Sequence, residues 1–199
     1  IHSVGKSKPA NHRLAITPHT FGTQNLNFLN DSQAIPKLIK NQYLDTAHEI
    51  IALMTPLFNN VTCHRIHGDC HSGNILHQGS EQFFFVDFDD MLTGPAVQDI
   101  WLIIPGMDER SKQDRLLLLE AYETMCDFDY QTLKLIEPLR TLRYIHFSAW
   151  LTKRWEDPSF KIAFPHFASG DYWNIGLRDL LDQKRLIEAI INPAPYLDY

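Results

Sequence analysis

Residues Arg65 to Pro95 read R-I-H-G-D-C-H-S-G-N-I-L-H-Q-G-S-E-Q-F-F-F-V-D-F-D-D-M-L-T-G-P, and this is the one stretch of the chain dense in chemistry. Within it, Asp69, Asn74 and Asp87 have the residue types and spacing to hold a divalent cation and to orient a hydroxyl nucleophile. Phosphoryl transfer asks little covalent help of a protein. It does need ligands for the cation on the nucleotide phosphates, and a carboxylate beside the attacking hydroxyl. Asn74 and Asp87 offer the oxygen donors that Mg²⁺ prefers. The interval from Asp69 to Asn74 repeats the base-to-ligand spacing D-x-x-x-x-N of a kinase catalytic loop, and Asp87 follows a β turn as a second metal ligand would.

Taken alone, D-x-x-x-x-N has little weight, because acids near turns are common. The compound pattern is more telling: His-Gly-Asp, then His71 and Asn74, then an apolar β run, then Asp87-Phe88-Asp89-Asp90. Four clustered acids (Asp69, Asp87, Asp89 and Asp90) repel one another unless they are separated, solvated or bridged by a cation.

The elements around this stretch follow from periodicity. Residues 1–30 mix Gly, Pro, Asn and Thr without a sustained period and read as mostly loop, with a helix end at Ile1–Val4. From Ile35 to Phe58 apolar residues, Leu38 among them, recur at steps of three and four, which predicts a long amphipathic helix broken at Asn59-Asn60. Val61–Ile66 and Phe83–Val86 read as short strands, with Gln78-Gly79-Ser80 as a turn. Downstream, Gly94-Pro95 opens a short helix through Val97, Ile100, Trp101 and Ile104. Three further helices are expected: one around Leu116 and Leu119 capped by Ser111, one over about 131–155 ended by Pro158, and a last one from Trp173 to near Pro193. Residues 156–170 read as an aromatic-rich loop. The sum is a mainly helical domain with one small β element.

Composition removes several classes. With 199 residues, 44% of them hydrophobic, the chain can bury a sizeable core, so disorder and a fibrous class are excluded. A net charge of −6 and the lack of a Lys/Arg run argue against a nucleic-acid partner. No apolar run approaches the roughly 20 residues of a membrane span. Cys63, Cys70 and Cys126 form no CxxC pair, which points to reduced thiols and a cytoplasmic protein.

The string H-G-D-x-H-x-x-N followed by D-F-D-D resembles the aminoglycoside phosphotransferase and choline kinase branch of the protein-kinase-like fold. Further strings, G-P-A-V-Q-D-I-W, L-I-E-P-L-R, A-W-L-T-K-R-W-E-D-P and G-D-Y-W, are similar to a bacterial stress-response serine/threonine kinase subfamily within that branch. The resemblance spans Ile66 to Trp173. It implies an α+β, mainly α fold, the C-terminal lobe of a kinase-like domain. It implies Asp69 as proton acceptor, Asn74 and Asp87 as Mg²⁺ ligands, with Asp87 also counted as catalytic, and Mg·ATP as phosphoryl donor. The acceptor is a protein Ser/Thr hydroxyl, or a small alcohol such as choline, homoserine or an aminoglycoside, and the enzyme is expected to be a monomer. His67 is expected to fix the loop, and Gly68 to let the backbone turn before the base. Nothing before the catalytic loop reads as a β-rich lobe with a phosphate-gripping lysine. Residues 1–199 are therefore expected to be the C-terminal lobe alone, inactive or nearly so without the nucleotide-gripping lobe.

Two readings of other classes compete. Cys63, His64, His67, Cys70 and His71 are ligand types for zinc in a non-catalytic metal-binding module, without the paired clips of known zinc sites. His67, Asp69 and the distant His146 match a two-His-one-carboxylate iron set in composition, although His146 lies in a strong helical pattern.

Overall fold

The computed structural model describes residues 1–79 and 82–193, so Ser80 of the expected turn lies outside the described residues. The chain divides into two compact units, the first made of Ile1–Ile16 and Asn60–Ile136, the second of Thr17–Asn59 and the chain from Glu137 on. The fold is α+β and mainly α, as expected.

The first unit carries the strands. Helix α1 (His2–Gly5) packs on strand β1 (His64–Ile66), which is antiparallel to β4 (Leu92–Gly94) with Ile66 opposite Leu92. The segment before Thr17 joins the same ladder, since Ile16 N–H donates to Thr93 O (2.8 Å) and Thr93 N–H donates to Leu14 O (2.9 Å). A second ribbon pairs β2 (Ile75–Gln78) with β3 (Gln82–Phe85). The strand expected from Val61 is shorter than its apolar pattern, beginning only at His64.

Helix α4 (Val97–Ile103) follows and is buried through six consecutive residues, Val97 to Leu102. A helix buried all round needs its polar residues satisfied. Gln98 and Asp99 are bonded, as shown below. Helix α5 (Glu109–Glu123) is capped by Asp108, whose carboxylate accepts Ser111 N–H at 3.0 Å, so the expected cap at Ser111 is corrected to Asp108. Buried Arg115 donates to Ile104 O (2.8 Å) and Gly106 O (2.6 Å) and so satisfies carbonyls left open where α4 ends. Leu116 lies in this helix as expected and is half exposed.

The second unit is helical throughout. Where loop is expected, Pro18–Thr23 forms a π-helical turn leading into α2 (Gln24–Asp31). Thr17 caps it reciprocally with Thr20, and Pro18 suits the first turn. Asn and Thr are weak helix formers, but Phe21, Leu26 and Leu29 are buried, and their packing decides the conformation.

The long helix α3 (Lys37–Met54) and a 3₁₀ turn to Phe58 match the expected element. Its stripe begins later than the periodicity suggests, because Leu38 is 96% exposed. The expected helix over 131–155 is split, with a 3₁₀ turn (Tyr130–Leu135) leading into α6 (Ile136–Arg154). Pro158 opens α7 (Pro158–Ala163) with Asp157 as its cap, so the loop expected over 156–170 holds a short helix. Helix α8 (Gly170–Ile191) closes the unit, packing on α3. The core here joins Leu26, Leu29, Ile50, Met54, Leu139, Leu142, Leu180 and Ile187. No described helix is long and apolar enough to cross a membrane.

Leu29, in α2, and Leu38, in the first turn of α3, have opposite exposure. Leu29→Ala should lower the unfolding free energy by about 2–5 kcal/mol, whereas Leu38→Ala should leave it within about 0.5 kcal/mol. Chemical denaturation of the two variants beside the parent measures both.

Candidate active site

The loop His67–Asn74 links β1 to β2, and the loop Val86–Met91 links β3 to β4. Pairing the strands therefore brings the ends of both loops together. Val86 N–H donates to Asn74 O (3.0 Å), His67 Nε2–H donates to Val86 O (2.9 Å), and the His67 ring lies 4.6 Å from that of Phe88. Within the first loop, Asn74 Nδ2 donates to Asp69 O at 2.9 Å. These bonds chain Asp69 to Asn74 and Asn74 to the residue before Asp87.

Asp99 on α4 fixes where the first loop starts. It is 3% exposed, and its two oxygens accept His67 N–H (2.9 Å) and Gly68 N–H (2.8 Å). Its Oδ2 also lies 2.8 Å from His2 Nε2, and His2 Nδ1 lies 2.8 Å from the Tyr122 hydroxyl. Gln98 Nε2 donates to Gly68 O at 3.2 Å, with Trp101 Nε1 donating to the Gln98 oxygen. Gly68 has φ +87°, and a Cβ there would stand 2.5 Å from Asp90 O, so the turn before Asp69 requires glycine.

Asp87 also has a positive φ. It is exposed and adopts the left-handed conformation (φ 63°, ψ 62°), which costs a non-glycine residue about 1–2 kcal/mol. Arg13 Nη1 donates to Asp89 O (2.6 Å), which ties the acidic loop to the segment before Thr17.

Tautomers follow from the bonds. His71 Nδ1 accepts Gly73 N–H at 3.0 Å, so its neutral ring carries the proton on Nε2, which sits 3.5 Å from Asp69 Oδ2. His67 is fully buried and uses Nε2–H on Val86, the loop-fixing role expected of it. Burial, then the charges of Asp99 and Asp69, push the Cys70 thiol up to about 12. Burial, then His2 and Lys6, press His64 down to about 4.

The sequence picks out Asp69, Asn74 and Asp87, and the structure brings their loops together. It does not pick out Asp99, whose partners lie about thirty residues earlier; an acid inside the apolar run Val97–Ile103 is the signal available. Of the two thiols in the zinc reading, Cys70 is buried and Cys63 exposed. Among the described residues no group of three or more His, Cys, Asp or Glu is placed to hold a metal. His146 is occupied in the second unit, stacked on Phe21 at 4.2 Å and 3.2 Å from Asn25 Nδ2. Arg140 pairs with Glu137 at 2.9 Å.

Residues 9–136 match the family model described as the phosphotransferase enzyme family, which is more than half of the chain. The chain belongs to the phosphotransferase enzyme family. Among curated relatives of this phosphotransferase, stress response kinase A of Escherichia coli (strain K12) is 34% identical over 189 residues, covering 94% of this chain and 57% of the relative. Serine/threonine protein kinase RdoA of Salmonella typhimurium is 32% identical over 188 residues, with the same coverage. The chain thus spans somewhat over half the length of these relatives. A solved spectinomycin phosphotransferase, APH(9)-Ia, in complex with ADP and spectinomycin, has a TM-score of 0.53 at 13% identity, covering 93% of this chain and 60% of its own. That likeness shows a shared fold.

The donor set in this phosphotransferase fits Mg²⁺. Because Asn74 Nδ2 is the donor to Asp69 O, Oδ1 is the amide's acceptor end, the end a cation takes. Asp87 adds an exposed carboxylate.

Asp99→Ala should strip two backbone N–H groups and His2 of their acceptor and cost about 3 kcal/mol in a denaturant titration. A second expectation concerns pH. His64 is held near 4 against an ordinary 6.5, and burial does the same to His146. The unfolded chain then binds more protons between those values, so stability should fall as pH drops from 6.5 towards 4. Denaturation midpoints at pH 7 and pH 5 should differ less in His64→Gln than in the parent.

Proposed function

We propose that this chain is the base-and-metal half of an Mg·ATP-dependent kinase that phosphorylates a Ser or Thr hydroxyl of a protein. The observation carrying the proposal is the hydrogen-bonded chain from Asp69 through Asn74 to the residue before Asp87. Asp69 orients the acceptor hydroxyl and takes its proton as the hydroxyl oxygen bonds to the γ-phosphorus; the bond to the β-phosphate oxygen breaks and ADP leaves. Asn74 Oδ1 and Asp87 would hold Mg²⁺, which supplies charge neutralisation on the phosphates. Asp99 acts through the loop as a positioning residue, and the left-handed turn at Asp87 presents its carboxylate at the end of β3.

The β2–β3 ribbon supports a partner for this half. Leu76, Phe83, Phe84 and Phe85 are all substantially exposed, and a lone two-stranded ribbon with such a surface is poorly stable in water. We read it as the face on which the nucleotide and a second, phosphate-gripping lobe rest. Cys63, Cys70 and Cys126 are free thiols, the state expected of a cytoplasmic enzyme.

The names of the sequence relatives favour a protein acceptor. The fold shared with a spectinomycin phosphotransferase keeps a small alcohol as the second reading. Phosphate transfer from labelled ATP to protein, peptide and amino-alcohol panels, measured with the natural full-length protein, separates the two. Asp69→Asn and Asp87→Ala should each lower turnover by about 10²–10⁴ with an unchanged circular dichroism spectrum. Parent-like turnover in either variant removes the site assignment.

A further inference from the structure

Lys6 and Cys126, 120 residues apart in the chain, meet in the first unit, where Lys6 Nζ donates to Cys126 Sγ at 2.8 Å. We propose that this pair is a peroxide-responsive modification site, at which Cys126 is oxidised and then captured by Lys6 in a reversible sulfur–nitrogen cross-link.

The contact is close and is made by the fold. Sulfur is larger than oxygen, yet the separation is that of an ordinary N–H···O bond. Lys6 follows α1, which packs on β1, and Cys126 follows the C-terminal end of α5. Cys126 N–H donates to Tyr122 O at 3.1 Å, which fixes the backbone that carries the thiol.

The surroundings single out this thiol from the other two. The hydrogen bond from Lys6 holds the Cys126 thiol below its ordinary range, against a smaller effect of burial and with help from Tyr122 and Ser3. Burial pushes the thiols of Cys63 and Cys70 the opposite way. Peroxides react through the thiolate, so oxidation favours Cys126. Cys126 is also partly exposed, whereas Cys70 is buried.

The chemistry balances with one peroxide. The thiolate sulfur bonds to a peroxide oxygen as the O–O bond breaks, which leaves a sulfenic acid and hydroxide. Hydroxide takes a proton from the Lys6 ammonium and becomes water. The freed amine nitrogen then bonds to sulfur, the S–O bond breaks, and the departing hydroxide leaves as water with an amine proton. Sulfur has given up two electrons, and one peroxide has become two waters. An amine already in contact makes the second step intramolecular, which favours it over capture by a thiol from solution. Two equivalents of a small thiol reverse the cross-link, restoring thiol and amine and leaving as a disulfide.

The pair also sits at the outer end of the network that holds the catalytic loop. Tyr122 is hydrogen-bonded to Cys126 and to His2 Nδ1, and His2 Nε2 meets Asp99, which accepts the N–H groups of His67 and Gly68. A bridge from Lys6 to Cys126 ties the segment after α1 to the end of α5 beside that network, and it closes a long loop in the unfolded chain.

The test does not read phosphoryl transfer. After brief treatment of the natural full-length protein with hydrogen peroxide, proteolytic peptides bearing Lys6 and Cys126 should be found joined and lighter than their sum by two hydrogens. Dithiothreitol should separate them again, and the bridged protein should show a higher denaturation midpoint than the reduced one. Lys6→Arg, which keeps a charged donor beside the thiol, should yield a dimedone-trappable sulfenic acid at Cys126 in place of the cross-link, and Cys63→Ser should cross-link as the parent does. An unmodified Cys126, a dimedone adduct there in the parent without joined peptides, a joined pair heavier by an oxygen, or a disulfide from Cys126 to another cysteine overturns the proposal.

Discussion

The carboxylate of Asp99 accepts two successive backbone N–H groups, from His67 and Gly68, and the geometry of the candidate site depends on that acceptance. A buried carboxylate without partners would be costly, and here each oxygen is engaged, with His2 as a third donor group. Because Asp99 sits in a helix buried on every side, the loop inherits the rigidity of the core. Two residues beyond Asp99's grip stands Asp69's neighbour Cys70, and the loop then closes on itself through Asn74.

The acidic loop is held differently. It has no buried carboxylate beneath it and relies on strand pairing, on His67 reaching Val86 O, and on Arg13 reaching Asp89 O. Its residues are mostly exposed, and one of them carries left-handed backbone strain. A tightly anchored Asp69 loop beside a more open acidic loop suits the proposed chemistry, in which one group stays fixed while the other receives a ligand bearing its own charge. The exposed phenylalanines of β3 lie directly before that loop.

Much of this was legible in the sequence where the determinants are local. Asp69, Asn74 and Asp87 announce themselves by spacing, and α3 and α8 by apolar period. The failures are equally physical. Helix α2 escapes because three of its eight residues are Asn and burial of Leu26 and Leu29, invisible in a window, decides it. Helix α7 escapes because Pro158 reads as a stop, although proline also suits a helix start. Leu38 and Leu116 fall on apolar periods without a neighbouring element to bury them. Asp99 escapes because hydrogen bonding across thirty residues leaves no periodic trace.

Cys70 lies one residue from the candidate base, which would ordinarily make it a weak point. Burial, with the charges of Asp99 and Asp69, holds its thiol above the ordinary range and so lowers its thiolate population. Peroxides and alkylating agents react through that thiolate. The burial that fixes the loop bearing Asp69 therefore also lowers the reactivity of the thiol beside it.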